Sequence, residues 1–128
     1  MDAPSDLRYT KDHEWVRVEG EEATVGITDF AQGELGDIVF VEFPEEGTEI
    51  VSGDSVCVVE STKAASDVYS PISGKVSEVN KELENAPELI NSDPYGDGWL
   101  VKLEDIDTSE LEELMSAEEY IKFVEEEA

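Results

Sequence analysis

Val58-Val59-Glu60-Ser61-Thr62-Lys63-Ala64-Ala65-Ser66-Asp67-Val68-Tyr69-Ser70-Pro71 sets two β-prone runs around a short polar turn, with one lysine at its tip. Gly53-Asp54 turns the chain into the first run, and Pro71 closes the second. The chain has six lysines, and this one has no carboxylate within two positions on either side; Glu60 and Asp67 are its nearest acids. An amine on a rigid hairpin tip is accessible to a modifying enzyme and gives any attached arm a fixed pivot. An ordinary solvated lysine fits the same spacing. Local sequence leaves both readings open.

Working outward, short β-rich runs separated by turn residues dominate the first hundred positions. Residues 13–19 predict a strand, Gly20-Glu21 a turn, and residues 23–27 the hairpin partner. Residues 28–36 predict one or two helical turns, capped by Thr28 or Asp29 and ended by Gly36. Further strands are expected at 37–43, 55–61, 74–79 and 99–103. Residues 85–94 read as loop, with one helical turn around Pro87-Glu88-Leu89. Ser109 with Glu112, and Ser116 with Glu119, match the capping box and predict two short helices. The second should bury Tyr120, Ile121, Phe123 and Val124. The expected fold is mainly β, a barrel or sandwich with short helices at its edges.

Composition narrows function. The 128 residues suit one domain, residues 1–128, with a core over about 8–103 and an acidic helical segment at 104–128. A domain of this size buries roughly two-thirds of its unfolded surface, and 39% hydrophobic residues can supply that core. From Glu104 onward there are 11 acids and a single base, Lys122, so the outer faces there must be solvated. Overall, 34 acids against 8 bases give a formal charge of −26. That excludes a nucleic-acid binder, which needs Lys and Arg to displace counterions, and argues against anionic membranes. No stretch approaches the ~20 apolar residues of a membrane span. Met1-Asp2-Ala3-Pro4-Ser5-Asp6 has no apolar run and resembles no leader peptide, so a cytoplasmic location is expected.

The acid excess fits a surface tuned to a salty cytoplasm, where ions screen self-repulsion. Thermal stability is therefore expected to rise between dilute buffer and molar salt. A melting temperature that stays flat over that range contradicts this reading.

Single residues are also informative. Cys57 has no internal disulfide partner and reads as buried packing. His13 is the lone histidine, which removes multi-histidine metal sites and leaves a packing or hydrogen-bonding role. Trp15 and Trp99 read as core or edge-of-core anchors. Glu21-Glu22 and Glu45-Glu46 read as hydrated surface.

Across nearly its whole length the sequence resembles the glycine cleavage system H protein family. The resemblance rests on His13-Glu14-Trp15, Gly26-Ile27-Thr28-Asp29, Ala31-Gln32 and Leu35-Gly36-Asp37. It continues through residues 60–67, Ser70-Pro71-Ile72-Ser73-Gly74, Val79-Asn80, Leu89-Ile90-Asn91, Pro94-Tyr95 and Gly98-Trp99-Leu100. A lysine hairpin alone would suit any biotinyl or lipoyl carrier. The His-Glu-Trp start and the Asn-Ser-Asp-Pro-Tyr loop single out this family. Asp12 stands where Ser or Thr is commoner in it, and Thr62 where Val is usual; a β-branched residue keeps the strand preference.

The resemblance implies a barrel-sandwich hybrid with lipoic acid amide-linked to Lys63 and no chemistry of the protein's own. It implies a carrier that takes an aminomethyl group from a pyridoxal-phosphate glycine decarboxylase (P protein). A folate-dependent aminomethyltransferase (T protein) then unloads it, and dihydrolipoamide dehydrogenase (L protein) reoxidises it. A lipoate-attaching enzyme is a further implied partner, and the carrier is expected to be a monomer. Glu14 and Asp67 match the family acids that line the arm's cleft.

Two other functions remain open on sequence. A lipoyl relay to 2-oxoacid dehydrogenase subunits needs the same lysine, and gene neighbourhood would separate it. A Schiff-base enzyme needs Lys63 desolvated or beside a cation, and no other base lies near it in sequence. Failure to trap a carbonyl substrate with borohydride would dispose of that one. A biotin carrier is disfavoured because no methionine flanks Lys63.

Overall fold

Alternating apolar and polar side chains put one face of each strand inside and the other toward solvent. In the computed structural model, which describes residues 3–127, this alternation builds two sheets. Met1, Asp2 and Ala128 lie outside the described residues, and with them the ends of the stretches read as a missing leader and an acidic tail. The strands are β1 (Arg8–Tyr9), β2 (Glu14–Glu19), β3 (Glu22–Ile27), β4 (Ile38–Glu42), β5 (Glu49–Ile50), β6 (Ser55–Ser61), β7 (Ala65–Tyr69), β8 (Gly74–Val79) and β9 (Val101–Glu104). One sheet has the order β1-β2-β3-β9-β8-β5 and the other β4-β6-β7, with antiparallel pairing throughout. Val16, Val25 and Val101 of the first sheet share one core with Val41, Val59 and Val68 of the second. This is the mainly β barrel-sandwich hybrid with peripheral helices that the sequence predicts.

The β2–β3 hairpin runs from Glu14 opposite Ile27 to Glu19 opposite Glu22, and Gly20 closes it in the left-handed region at φ 65°. After it comes α1 (Asp29–Leu35), with Thr28 Oγ1 accepting from Ala31 N at 3.2 Å as its cap. A short α2 (Leu89–Ser92) packs against α1. The C-terminal α3 (Ala117–Glu127) opens with the expected capping box: Glu119 N donates to Ser116 Oγ at 3.3 Å, and Ser116 N donates to Glu119 Oε1 at 2.9 Å.

α3 covers the outer face of β1 and β2. Tyr120 and Val124 join Leu7, Tyr9 and Trp15 in a second core cluster. Trp15 is fully buried, and its indole N–H is shared between Ile27 O and Pro94 O, both at 3.0 Å. Gly26 lies beneath that ring; a Cβ there would stand 2.6 Å from it, so only glycine fits.

Some expectations need revising. The helix predicted to start at Ser109 is a 3-10 turn over Thr108–Glu113, capped by Asp107, whose carboxylate accepts from Ser109 N at 3.1 Å. Asp107 precedes the matching spacing by two residues and captures the amide first. Another 3-10 turn, Lys81–Glu84, falls where no element was expected. β1 and β5 are two-residue strands, too short to leave a periodic signal. On α3, Ile121 and Phe123 are only partly buried, since one stripe of the helix meets the sheet.

Candidate functional site

The β6–β7 hairpin is held by its own polar residues. Ser61 N donates to Ala64 O at 2.8 Å, while Ser61 Oγ accepts from Lys63 N at 3.1 Å and Ala64 N at 3.2 Å. Thr62 N donates to Asp37 O at 3.1 Å, pinning the tip to the start of β4. Lys63 is therefore an exposed side chain on a fixed backbone. Its stem passes over Gly36, where an added Cβ would meet Lys63 Cε at 3.5 Å. Gly36 takes φ 83°, a conformation suited to glycine, as α1 ends. Asn91 fixes that end from below: its amide donates to Gly36 O at 2.8 Å and Gln32 Oε1 at 2.9 Å, and its oxygen accepts from Ile38 N at 2.9 Å.

The last turn of α1 leads from the lysine to a cavity of about 220 Å3. Ile27, Phe30, Ala31, Leu35, Val59 and Val68 give it an apolar lining, with Asp12, His13, Glu14, Glu34, Ser66 and Asp67 as its polar groups. Glu14 and Asp67 thus line one cavity; the Lys63 stem lies over Gly36, the residue after the cavity-lining Leu35. Asp67 is exposed on β7 and accepts from Ser55 Oγ at 2.9 Å. Glu14 is only 2% exposed. Its carboxylate accepts from Thr10 Oγ1 at 2.8 Å and Tyr69 N at 2.9 Å, and it has no cation partner among the described residues.

Burial without a counter-charge raises the Glu14 pKa to about 7, the two hydrogen bonds offsetting part of the desolvation. This has a definite sign for stability. The unfolded carboxyl titrates near 4.5, so between that pH and about 7 the folded state binds the extra proton. Glu14 then costs nothing below pH 4.5 and progressively more above it, reaching about 3 kcal/mol past pH 7. Glu14→Gln should remove that penalty. The difference between variant and wild-type unfolding free energies is expected to grow in the variant's favour from pH 5 to 8. A difference that stays constant over that range would contradict the assignment.

Other sequence candidates fall elsewhere. Cys57 is buried, and desolvation pushes its thiol pKa up, which makes it a poor nucleophile. Among the described residues no cluster of three His, Cys, Asp or Glu side chains is arranged to hold a metal. A larger cavity of about 410 Å3 is lined by Glu46, Glu78, Asn80, Glu82, Asp97 and Trp99, and shares no residue with the hairpin or with Glu14. No helix among the described residues is long and apolar enough to cross a membrane.

Local sequence does not reveal the burial of Glu14. β2 reads as an ordinary alternating strand, but Glu14, Trp15 and Val16 are all buried: Trp15 lies under α3, while Glu14 and Val16 face the other way, Val16 into the main core and Glu14 onto Tyr69 N of β7. Phe30, which walls the cavity, belonged to no motif; the apolar spacing of residues 27, 30, 31 and 35 was the available signal.

A two-sheet β domain with an exposed lysine at a pinned hairpin tip, beside a cavity holding a buried carboxylate, belongs to the class of carriers for a swinging prosthetic arm. Residues 7–127 match the family model described as Glycine cleavage H-protein. The chain belongs to that family. It is 57% identical over 124 residues to the glycine cleavage system H protein of Carboxydothermus hydrogenoformans, covering 97% of this chain and 95% of the relative. It is also 58% identical over 120 residues to the probable glycine cleavage system H protein of Haloarcula marismortui, covering 94% of each. The crystal structure of a glycine cleavage system H protein from Mycobacterium marinum superposes with a TM-score of 0.85 at 41% identity, covering 94% of this chain and 97% of that one. Members of the family carry lipoic acid on a lysine, and this chain is a lipoyl carrier of the glycine cleavage system.

Proposed function

We propose that Lys63 is the lipoyl-bearing lysine and that the cavity beside it, with Glu14 and Asp67, receives the loaded arm. The observation that carries this is the exposed amine on a backbone fixed by Ser61 and Asp37, its stem lying over Gly36, next in sequence to the cavity-lining Leu35. The residues fit the group: an accessible primary amine for amide formation, and an apolar lining for an aliphatic chain. When bound, the lipoyl group supplies a disulfide that accepts the aminomethyl unit as a thioether and is left as a dithiol after unloading.

The protein's contribution is positional. Ile27, Phe30, Leu35 and Val59 exclude water from the arm. Glu14 offers a carboxylate to a protonated amine; a cation in the cavity supplies the partner that Glu14 lacks and draws its proton off. By holding the amine protonated, Glu14 keeps occupied the lone pair that would otherwise expel sulfur. Asp67 adds a second, more exposed acceptor.

In this reading residues 1–128 act as one monomeric, non-catalytic domain in the cytoplasm. Its partners are a lipoate-attaching enzyme, the pyridoxal-phosphate decarboxylase, the folate-dependent aminomethyltransferase and dihydrolipoamide dehydrogenase. A charge of −26 favours partners whose docking faces are basic.

The test supplies glycine and the decarboxylase to lipoylated protein and maps the added mass. One aminomethyl unit on the peptide containing Lys63 is expected. Lipoylated protein that accepts none would refute the shuttle.

A further inference from the structure

We infer that Tyr120 is a positioning residue of the arm cavity: through a one-way hydrogen-bond chain from Thr28 it holds His13 in a single neutral tautomer, with the proton on Nε2. This rests on the cavity reading above and extends it to the C-terminal helix.

The chain of bonds follows from counting donors. Thr28 is fully buried; its Oγ1 already accepts from Ala31 N at 3.2 Å and lies 2.7 Å from the Tyr120 hydroxyl. A buried hydroxyl must place its own proton. Among the described residues the Tyr120 oxygen is the acceptor available to Thr28. Thr28 therefore donates to Tyr120, and Tyr120 has one proton left to give. It lies 2.8 Å from His13 Nδ1, so that nitrogen accepts and the imidazole carries its proton on Nε2. Titration behaviour agrees. Burial raises the Tyr120 phenol to about 12, so it remains a donor. Burial also lowers the His13 pKa, outweighing the opposing pull of Glu127, Asp12 and Glu34.

The backbone gives the chain something to hold. His13 adopts φ 68°, in the left-handed region that residues other than glycine use sparingly and that Asn, Asp and His tolerate best. It is anchored by His13 N to Thr10 O at 3.2 Å and Thr28 N to His13 O at 3.0 Å. Glu14 comes next in sequence, so the His13 bend sets where β2 begins and where that carboxylate enters the cavity. Phe30 at 4.7 Å and Phe123 at 6.1 Å pack on the imidazole. Tyr120 is itself fixed by stacking on Tyr9 at 4.7 Å. Neutrality has a use here. His13 lines the same cavity as Glu14 and Asp67, and an imidazolium there would compete with an incoming ammonium for their charge.

His13 is the only histidine, so its ring nitrogens can be read without ambiguity by 15N-edited NMR on the full chain. The wild type should show Nε2 protonated and Nδ1 bare at about pH 8, where even an unshifted imidazole is neutral. Tyr120→Phe keeps the ring and loses the hydroxyl; it should mix the tautomers, raise the His13 pKa and leave lipoylation at the wild-type rate. The loaded variant should lose its amine roughly 2- to 10-fold faster, as expected for one lost hydrogen bond. Thr28→Ser, which keeps the hydroxyl, should preserve the wild-type signature even if Tyr120→Phe does not fold. A wild-type proton on Nδ1, or a folded Tyr120→Phe with unchanged tautomer and unchanged amine loss, overturns the inference. Absence of lipoyl from Lys63 would instead overturn the function proposed above, since the nitrogen spectrum needs no arm.

Discussion

Replacing Lys63 by arginine is expected to abolish lipoylation and all glycine-dependent turnover, while leaving the fold unchanged. Arginine keeps the charge and much of the length, but its guanidinium stays protonated and cannot form the amide. The hairpin does not use the lysine side chain; its turn is made by Ser61, Ala64 and the backbone of Thr62 and Lys63. Stability should therefore change by no more than about 0.5 kcal/mol, as for other exposed positions. Mass spectrometry after incubation with a lipoate-attaching enzyme reads the first effect and thermal unfolding the second. Residual lipoylation of the variant would move the attachment point to another lysine. A large loss of stability would mean that the hairpin depends on the lysine after all.

The second large effect concerns Glu14. Glu14→Gln keeps the shape and can still accept from Tyr69 N, but it removes the charge that a protonated amine would pair with. Hydrogen bonds to charged groups contribute about 1.5–3 kcal/mol, so the loaded variant should lose its amine roughly 10- to 100-fold faster than wild type. Lipoylation of Lys63 should be unaffected, because the modifying enzyme meets the exposed tip. Asp67→Asn should have a smaller effect, since Asp67 is exposed and water can replace it. Ammonia release from loaded protein, separated from the partner enzymes, measures all three. Equal rates for wild type and Glu14→Gln would show that the carboxylate does not meet the amine.

The two Glu14 expectations are linked. The burial that penalises the carboxylate in the empty carrier, and raises its pKa to about 7, also strengthens its attraction for a cation. A carboxylate in full solvent would be cheaper to keep and less able to hold the arm.

How much of this was legible in the sequence depends on the range of the interactions involved. β2, β3, β6, β7, β8 and α1 were readable because their period-2 runs, Thr28 and Gly36 are local signals. The capping box at Ser116 was equally local and formed as expected. Ser109 shows the limit: spacing matched, but Asp107 was closer to the orphan amide. β1 and β5 exist only through pairing with β2 and β8, which no two-residue window can announce.

The site divides in the same way. Lys63 at a polar turn was visible as a pattern, though its place beside Gly36 required the contact between β6–β7 and the end of α1. Glu14 among 34 acids offered no sign of its burial. That burial depends on the second sheet, where Tyr69, 55 residues away, meets the carboxylate. The Thr28–Tyr120–His13 chain joins three elements distant in sequence and could not have been read from any one of them.

The most direct measurement is intact mass and peptide mapping of the protein purified from cells that make lipoic acid. A single lipoyl group on the peptide containing Lys63 is the predicted result. Protein that is always unmodified, or lipoyl found on Lys11, Lys75, Lys81, Lys102 or Lys122 instead, would contradict it.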